Sequence, residues 1–275
     1  RITLWSQLVT HLRIRLCSSR MLPGHGYASS SFTTSSASSS SGATRAALNT
    51  LLDKSLLRRA GSDRYVLHEL LRQYAERRLA PADAEAARAA HSRTYCRLLA
   101  AHTASFKSSA QQAATVRIAQ DYPNVRAAWC TAVAAVDVPN LLAAVDGLYH
   151  FHMVRSHFQE GADLLGWSHQ VLAAAGMRHA AASDLRRLVA HLGARYARLL
   201  IMLSRHAEAR DLLNPCLAEL RALDDPAGIA TAHLLLRHDD ARIRDHRHPG
   251  GASLEERHRR LQRPEHVHHL LRPEP

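Results

Sequence analysis

The stretch LNTLLDKSLLRRAGSDRYVLHELLRQYAERRL, residues 48–79, carries three periodicities in succession. Leu48, Leu51, Leu52 and Leu56, together with Ser55, recur at helical spacing and predict a short helix with one apolar face. Leu57-Arg58-Arg59 comes next, then the turn-forming Gly61-Ser62-Asp63, then Arg64-Tyr65-Val66-Leu67, where Tyr and Val favour a pleated strand. From His68 the helical period returns, with Leu67, Leu70, Leu71, Tyr74, Ala75 and Leu79 along one stripe. Helix, two-stranded wing, helix is the order found at the end of a winged-helix unit. A two-stranded hairpin is marginal alone, and the flanking leucines offer it a surface to pack on.

Downstream, the residues predict helix after helix. Pro81 and the Ala-rich run 82–101 open a long one, with Ala87, Ala90, His91, Thr94, Tyr95, Leu98 and Leu99 on its buried face. Asp121-Tyr122-Pro123 precedes the next, because Pro fits a first helical turn and Asp complements the positive helix start. Val125, Ala128, Trp129 and Val133 face inward there. Asp137 and Pro139 interrupt the chain, a helix spans 141–153, and another spans 158–175 and stops at Gly176. From Ser183 a helix pair is expected. Leu192-Gly193 with Tyr196 fits the first helix of a tetratricopeptide repeat, whose small residue admits the partner helix. Ala207, Ala209 and Leu212-Leu213 fit the second, about one helical turn later than the repeat spacing. Asp224-Asp225-Pro226 restarts the pattern with Ile229, Ala232, Leu235 and Leu236.

Both ends depart from this pattern. The first acid in the chain is Asp53, and 1–43 reads as a Ser-rich leader without stable structure, with the composition of an organellar transit peptide. At Arg237 the apolar period ends, and 237–275 reads as an irregular Arg/His/Pro-rich tail with seven His. The expected organisation is therefore the leader at 1–43, a partial winged helix at 44–80, a helical tetratricopeptide-like region at 81–236, and the tail. Because only the middle keeps a regular pattern, a frame error on each side is one expectation. Reading the encoding DNA in all three frames tests it.

The middle also resembles a known family. LLDKSLLRR and RYVLHELLRQYA, followed by DYPNVRAAW (residues 121–129) and VRSHFQEGADLL (residues 154–165), are similar to the segment after the nucleotide-binding domain in NB-ARC-type regulatory ATPases. These include bacterial transcriptional regulators with C-terminal tetratricopeptide-like repeats. In that family a Met-His-Asp-like triplet lies where strand passes into helix, and its His senses the nucleotide's phosphates. The matching triplet is Leu67-His68-Glu69, so the resemblance implies nucleotide-sensor ancestry for His68. No GxxxxGK[ST] occurs in the chain, and His68 has no phosphate cradle of its own. No cofactor is expected, with ATP or ADP entering only through an upstream nucleotide-binding domain.

Composition narrows the remaining classes. The chain has 275 residues, 46% hydrophobic and only 5% aromatic, and its Ala and Leu favour a mainly α fold with a minor β element. The net charge of +12 comes almost wholly from Arg spread along the sequence, since Lys occurs only at 54 and 107. Dispersed charge bears on solubility and non-specific binding more than on a dedicated groove. Cysteines at 17, 96, 130 and 216 have no metal-ligand spacing and read as reduced thiols of a cytoplasmic protein. No catalytic nucleophile is assigned, there being no GxSxG, and no metal site: the tail clusters His246/His248 and His266/His268/His269 lack an ordered second shell.

The expectation is a non-enzymatic regulatory fragment with a protein partner or inducer on its helical-repeat surface and no membrane span. A basic winged-helix nucleic-acid-binding protein, using Arg58, Arg59 and Arg64, is the alternative. A steep salt dependence of binding distinguishes the second from the first.

Overall fold

A computed structural model of the protein describes residues 31–33, 49–59, 64–67, 69–178 and 183–247. Residues 49–53 are helical and end where Ser55 turns left-handed at φ 55° and the Leu56 N–H closes onto the Leu51 carbonyl at 2.9 Å. Strands β1 (Ser31–Thr33), β2 (Leu57–Arg59) and β3 (Arg64–Leu67) form an antiparallel sheet in the order β1-β3-β2. Arg58 pairs with Val66 across the expected hairpin, and Leu57 turns into the core while Arg58 and Arg59 are exposed. β1 is a departure from the sequence reading. It lies in the Ser/Thr tract of the expected leader, yet pairs Phe32 with Tyr65. Ladder bonds are made by backbone, and Ser and Thr do not obstruct them. The rest of 1–43 lies outside the described residues.

Nine helices follow among the described residues: α1 (Glu69–Arg78), α2 (Pro81–His102), α3 (Gln111–Gln120), α4 (Tyr122–Ala134), α5 (Val138–Val154), α6 (Phe158–Arg178), α7 (Ser183–Met202), α8 (His206–Ala222) and α9 (Pro226–Arg247). A 3₁₀ turn at Ala104–Lys107 links α2 to α3. The protein is thus mainly α. Two helices run past their expected ends. α6 runs through Gly176, since one Gly costs a packed helix only about 1 kcal/mol. α9 continues to Arg247, past the expected start of the irregular tail at 237; no Pro or Gly interrupts the chain before Pro249. Residues 248–275 lie outside the described residues.

The helices pack in a regular order. α2 lies against both α4 and α5, α6 against α7, α7 against α8 and α8 against α9, while α5 and α9 each also touch α7. Trp129, Phe151, Leu141, Leu148 and Leu165 are fully buried in one core spanning α2 to α7. A second core joins α7, α8 and α9 through Ala194, Ala197, Ile201, Leu213 and Leu220. α7 is buried on both sides, with Leu185, Leu188, Leu192 and Leu199 in the first core and Ala190, Ala194 and Leu200 in the second. Gly193 serves the role its spacing predicts, because a Cβ there would meet the Cys216 Sγ of α8.

One turn recurs four times. After α4, α5, α7 and α8, a non-glycine residue turns left-handed: Val136, Ser156, Ser204 and Asp224, with φ from 49° to 62°. The next residue, respectively Asp137, His157, Arg205 and Asp225, closes the finished helix with its N–H. The acceptors are the carbonyls of Ala132, His152, Leu200 and Leu220, five residues back. The carbonyl of that same next residue then accepts the first bond of the following helix, from Leu141, Gly161, Ala209 and Ile229. Each helix therefore ends in a Schellman turn whose last residue caps its successor. Left-handed conformation costs a residue with a Cβ about 1–2 kcal/mol. Ser156→Gly and Ser204→Gly, both at exposed positions, are accordingly expected to raise stability by about 0.5–1 kcal/mol each in urea unfolding, net of glycine's larger unfolded-state entropy.

Candidate interaction surface

Three alternate helices, α5, α7 and α9, are joined by one polar network. The Arg195 guanidinium, largely buried on α7, donates from Nε to Asp146 Oδ1 of α5 at 2.6 Å, and a second guanidinium nitrogen lies 2.5 Å from the same oxygen. Its remaining nitrogen lies 3.1 Å from His191 Nδ1 and donates to the His191 carbonyl at 3.3 Å. Arginine has no acceptor, so Nδ1 accepts, and His191 Nε2–H donates to Asp225 Oδ2 at 2.8 Å. Arg187 Nε approaches that carboxylate at 3.5 Å, and the other carboxylate oxygen accepts the Gly228 N–H at 2.9 Å at the start of α9. Burial pushes the Asp225 carboxyl up, but the Gly228 N–H, His191 and Arg187 together outweigh it and hold the group below the usual Asp value.

The spacing that builds this network is simple. His191 and Arg195 are four residues apart and share one helix face. Asp225 is the capping residue of the recurring turn. Asp146 precedes Gly147 on the side of α5 that meets α7. Around the network, burial raises the Tyr149 hydroxyl above its usual value, against the opposing pull of Arg198 and Arg195. Burial likewise lowers the His150 imidazole, with Asp146 opposing and Lys107 and Arg195 reinforcing. The face is therefore a braced surface. Its carboxylates are engaged by Arg195, His191 and Arg187, while exposed Lys107 and part-exposed Arg198 supply positive charge beside a tyrosine. Chemically it presents fixed cationic and hydroxyl groups that can engage an anion.

Part-buried imidazoles also set the acid behaviour. Burial holds His150 and His169 below the ordinary value of 6.5. As pH falls through 6.5 the unfolded chain binds protons that these folded-state imidazoles refuse. Their contribution is complete above that value and is lost below it. Denaturant midpoints measured at descending pH are expected to fall from near 6.5, and His169→Gln is expected to make that fall shallower.

The sequence-derived candidates are distributed as follows. His68, expected as the nucleotide-sensing residue, lies outside the described residues, as do the side chains of the tail histidines. Arg58 and Arg59 are exposed on β2, and Arg64 begins β3. Cys96 and Cys216 are buried free thiols, and Cys130 is part-buried. Burial pushes the Cys96 and Cys216 thiols up to about 11, which makes them poor nucleophiles. The Asp146–Arg195–His191–Asp225 network was not singled out from sequence. Its available signals were the i,i+4 His/Arg pair and an Asp at a helix restart. No described helix is long and apolar enough to cross a membrane. Protein-family models, curated proteins and solved structures provide no match to this chain, so the resemblance to NB-ARC-type regulators rests on the quoted residues alone.

Proposed function

We propose that this chain is a non-catalytic regulatory and protein-interaction module: the end of a winged-helix lever followed by a tetratricopeptide-like α-solenoid. The α5–α7–α9 face takes the partner or inducer. The observation that carries this reading is the Asp146–Arg195–His191–Asp225 network, which fixes three alternate helices as one surface. Solenoids bind on the face lined by alternate helices, and such a face must hold its shape without the partner. The repeated left-handed turn and the double-sided burial of α7 support the same architecture. The protein partner is an acidic segment, and the module binds no nucleotide unless an upstream domain supplies the ATP or ADP site. Membership of the NB-ARC-type regulators, with His68 as a nucleotide-sensor remnant, belongs to this proposal.

Fluorescence anisotropy with an arrayed set of acidic and neutral peptides tests it. Binding of acidic peptides, weakened at least tenfold by Arg198→Glu while the chain stays folded, is the expected result. Equal binding of neutral peptides, or none by any acidic peptide, counts against it. The second reading, nucleic-acid binding, draws on the exposed Arg58 and Arg59 of β2. A labelled duplex separates the two. Phosphate contacts lose affinity steeply between about 50 and 200 mM salt. Substituting Arg58 and Arg59 then reduces the salt slope, whereas the peptide-binding module leaves duplex affinity low and unaffected by them.

A further inference from the structure

The recurring turn has one deviant copy, between α5 and α6. In each of the four turns the capping residue also pairs with the residue three positions on. Asp137 Oδ2 accepts from the Asn140 amide at 2.6 Å, Asp225 accepts the Gly228 N–H at 2.9 Å, and Arg205 is held by both oxygens of Glu208 at 2.6 and 2.7 Å. His157 and Glu160 occupy the same places but stand 3.4 Å apart, too far for a well-made bond. The carbonyl that receives the closing N–H belongs to Ala132, Leu200 or Leu220 in the other turns, all buried and apolar. Here it belongs to His152, whose side chain is fully buried.

A buried imidazole needs partners for both ring nitrogens. His152 Nε2 lies 3.2 Å from the Tyr122 hydroxyl, Nδ1 makes no well-aligned hydrogen bond, and the ring lies against the His157 backbone. One ligand atom from each of His152, His157 and Glu160 can be chosen so that all three lie within 4.8 Å of one another. The His157 and Glu160 side chains are roughly half exposed, so the cluster opens to solvent on one side and is walled by Tyr122 and Phe151 on the other. Two imidazoles and a carboxylate around a point with an open fourth position are a ligand set for a first-row divalent cation, zinc above all. Magnesium and calcium prefer all-oxygen shells.

We propose that His152, His157 and Glu160 bind a single zinc-class divalent cation that staples the end of α5 to the start of α6. The cation would give the buried imidazole and the loose His157–Glu160 pair a common partner. Tyr122 is the positioning residue. Its hydroxyl contacts the ring of His152 and lies against Glu160. A ligating histidine is ordinarily oriented by a hydrogen bond to its other nitrogen. The ordinary alternative is an exposed i,i+3 ion pair beside a core histidine. That alternative leaves the buried Nδ1 with at most the His157 backbone as a partner. The site is independent of the peptide-binding reading and stands or falls separately.

To exclude adventitious metal binding by clustered histidines, the test uses the full chain with the seven histidines after Arg237 changed to Asn. Co²⁺ is titrated into it at neutral pH and followed by visible absorption, with Zn²⁺ as competitor. The expected result is saturation at one equivalent, full displacement by Zn²⁺, and at least a tenfold weaker affinity in both His157→Gln and Glu160→Gln. Tyr122→Phe is expected to weaken Co²⁺ binding by about 10-fold or more without removing a ligand. His157 and Glu160 are half exposed, and circular dichroism confirms that their variants remain folded. Absence of stoichiometric Co²⁺ absorption, or an affinity unchanged by both ligand substitutions, overturns the proposal.

Discussion

Trp129→Ala is expected to lower the unfolding free energy by about 3–5 kcal/mol in urea titration. Trp129 is fully buried at the centre of the larger core, where α4 meets α2 and α6. Its indole Nε1–H donates to Ser168 Oγ at 2.8 Å, and that hydroxyl donates to the Leu164 carbonyl at 2.7 Å. Truncation therefore removes a large apolar volume and the side-chain bond between α4 and α6. The cavity dominates the loss, because Ser168 keeps its Leu164 acceptor after the indole has gone. Trp129→Phe separates the two contributions. It retains most of the ring and loses only the N–H, so its cost is expected nearer about 1–2 kcal/mol. A Trp129→Ala effect as small as that of a surface substitution would mean that α4 is not held as described.

Helical spacing made much of this core legible. Val125, Ala128, Trp129 and Val133 follow a 3.6-residue period, and all four are fully buried. Tyr65 and Val66 placed β3 for the same kind of reason: their shapes suit a strand more than a helix. α3 was not anticipated. Its QQAATVRIAQ has only Ala114 and Ile118 buried, too few to define a face by eye. The long-range network escaped for another reason. Asp146 and Arg195 are 49 positions apart, and no local period reports which charged residues will meet across two helices. Ser92 is similar: it is not among the residues expected on the buried face, yet its hydroxyl donates to the Ala128 carbonyl at 2.9 Å within the α2–α4 contact. The left-handed turns were hidden because their usual marker, glycine, is absent from all of them. Only Asp137 and Asp225, acidic residues next to a helix start, hinted at where the chain bends.

Gly147→Ala opposes local propensity to packing, and packing is expected to win. In an isolated helix the exchange would stabilise by about 1 kcal/mol, since alanine is the best helix former and glycine nearly the worst. Gly147 lies in the middle of α5, where nothing in the sequence marks it as different from its neighbours. In the fold it touches the backbone of α2. A Cβ at this position would lie closer than 3 Å to both the carbonyl oxygen and the carbonyl carbon of Leu99, and 3.1 Å from the Leu99 Cβ. No rotamer relieves a clash with backbone, so α2 and α5 must move apart along a line that includes fully buried Leu99 and Leu148. Overpacking of this kind costs about 1–3 kcal/mol and sometimes more, and contact with rigid backbone places this case at the upper end. The expected outcome is a net loss of about 2–3 kcal/mol despite the propensity gain, read as a lower denaturant midpoint with an unchanged slope. Gly176→Ala is the internal control: it lies part-exposed in the last turn of α6, so the same exchange should be neutral or mildly stabilising there. Opposite signs at the two glycines identify Gly147 as the point of closest approach between α2 and α5, whereas a gain at both would mean that these helices do not cross there.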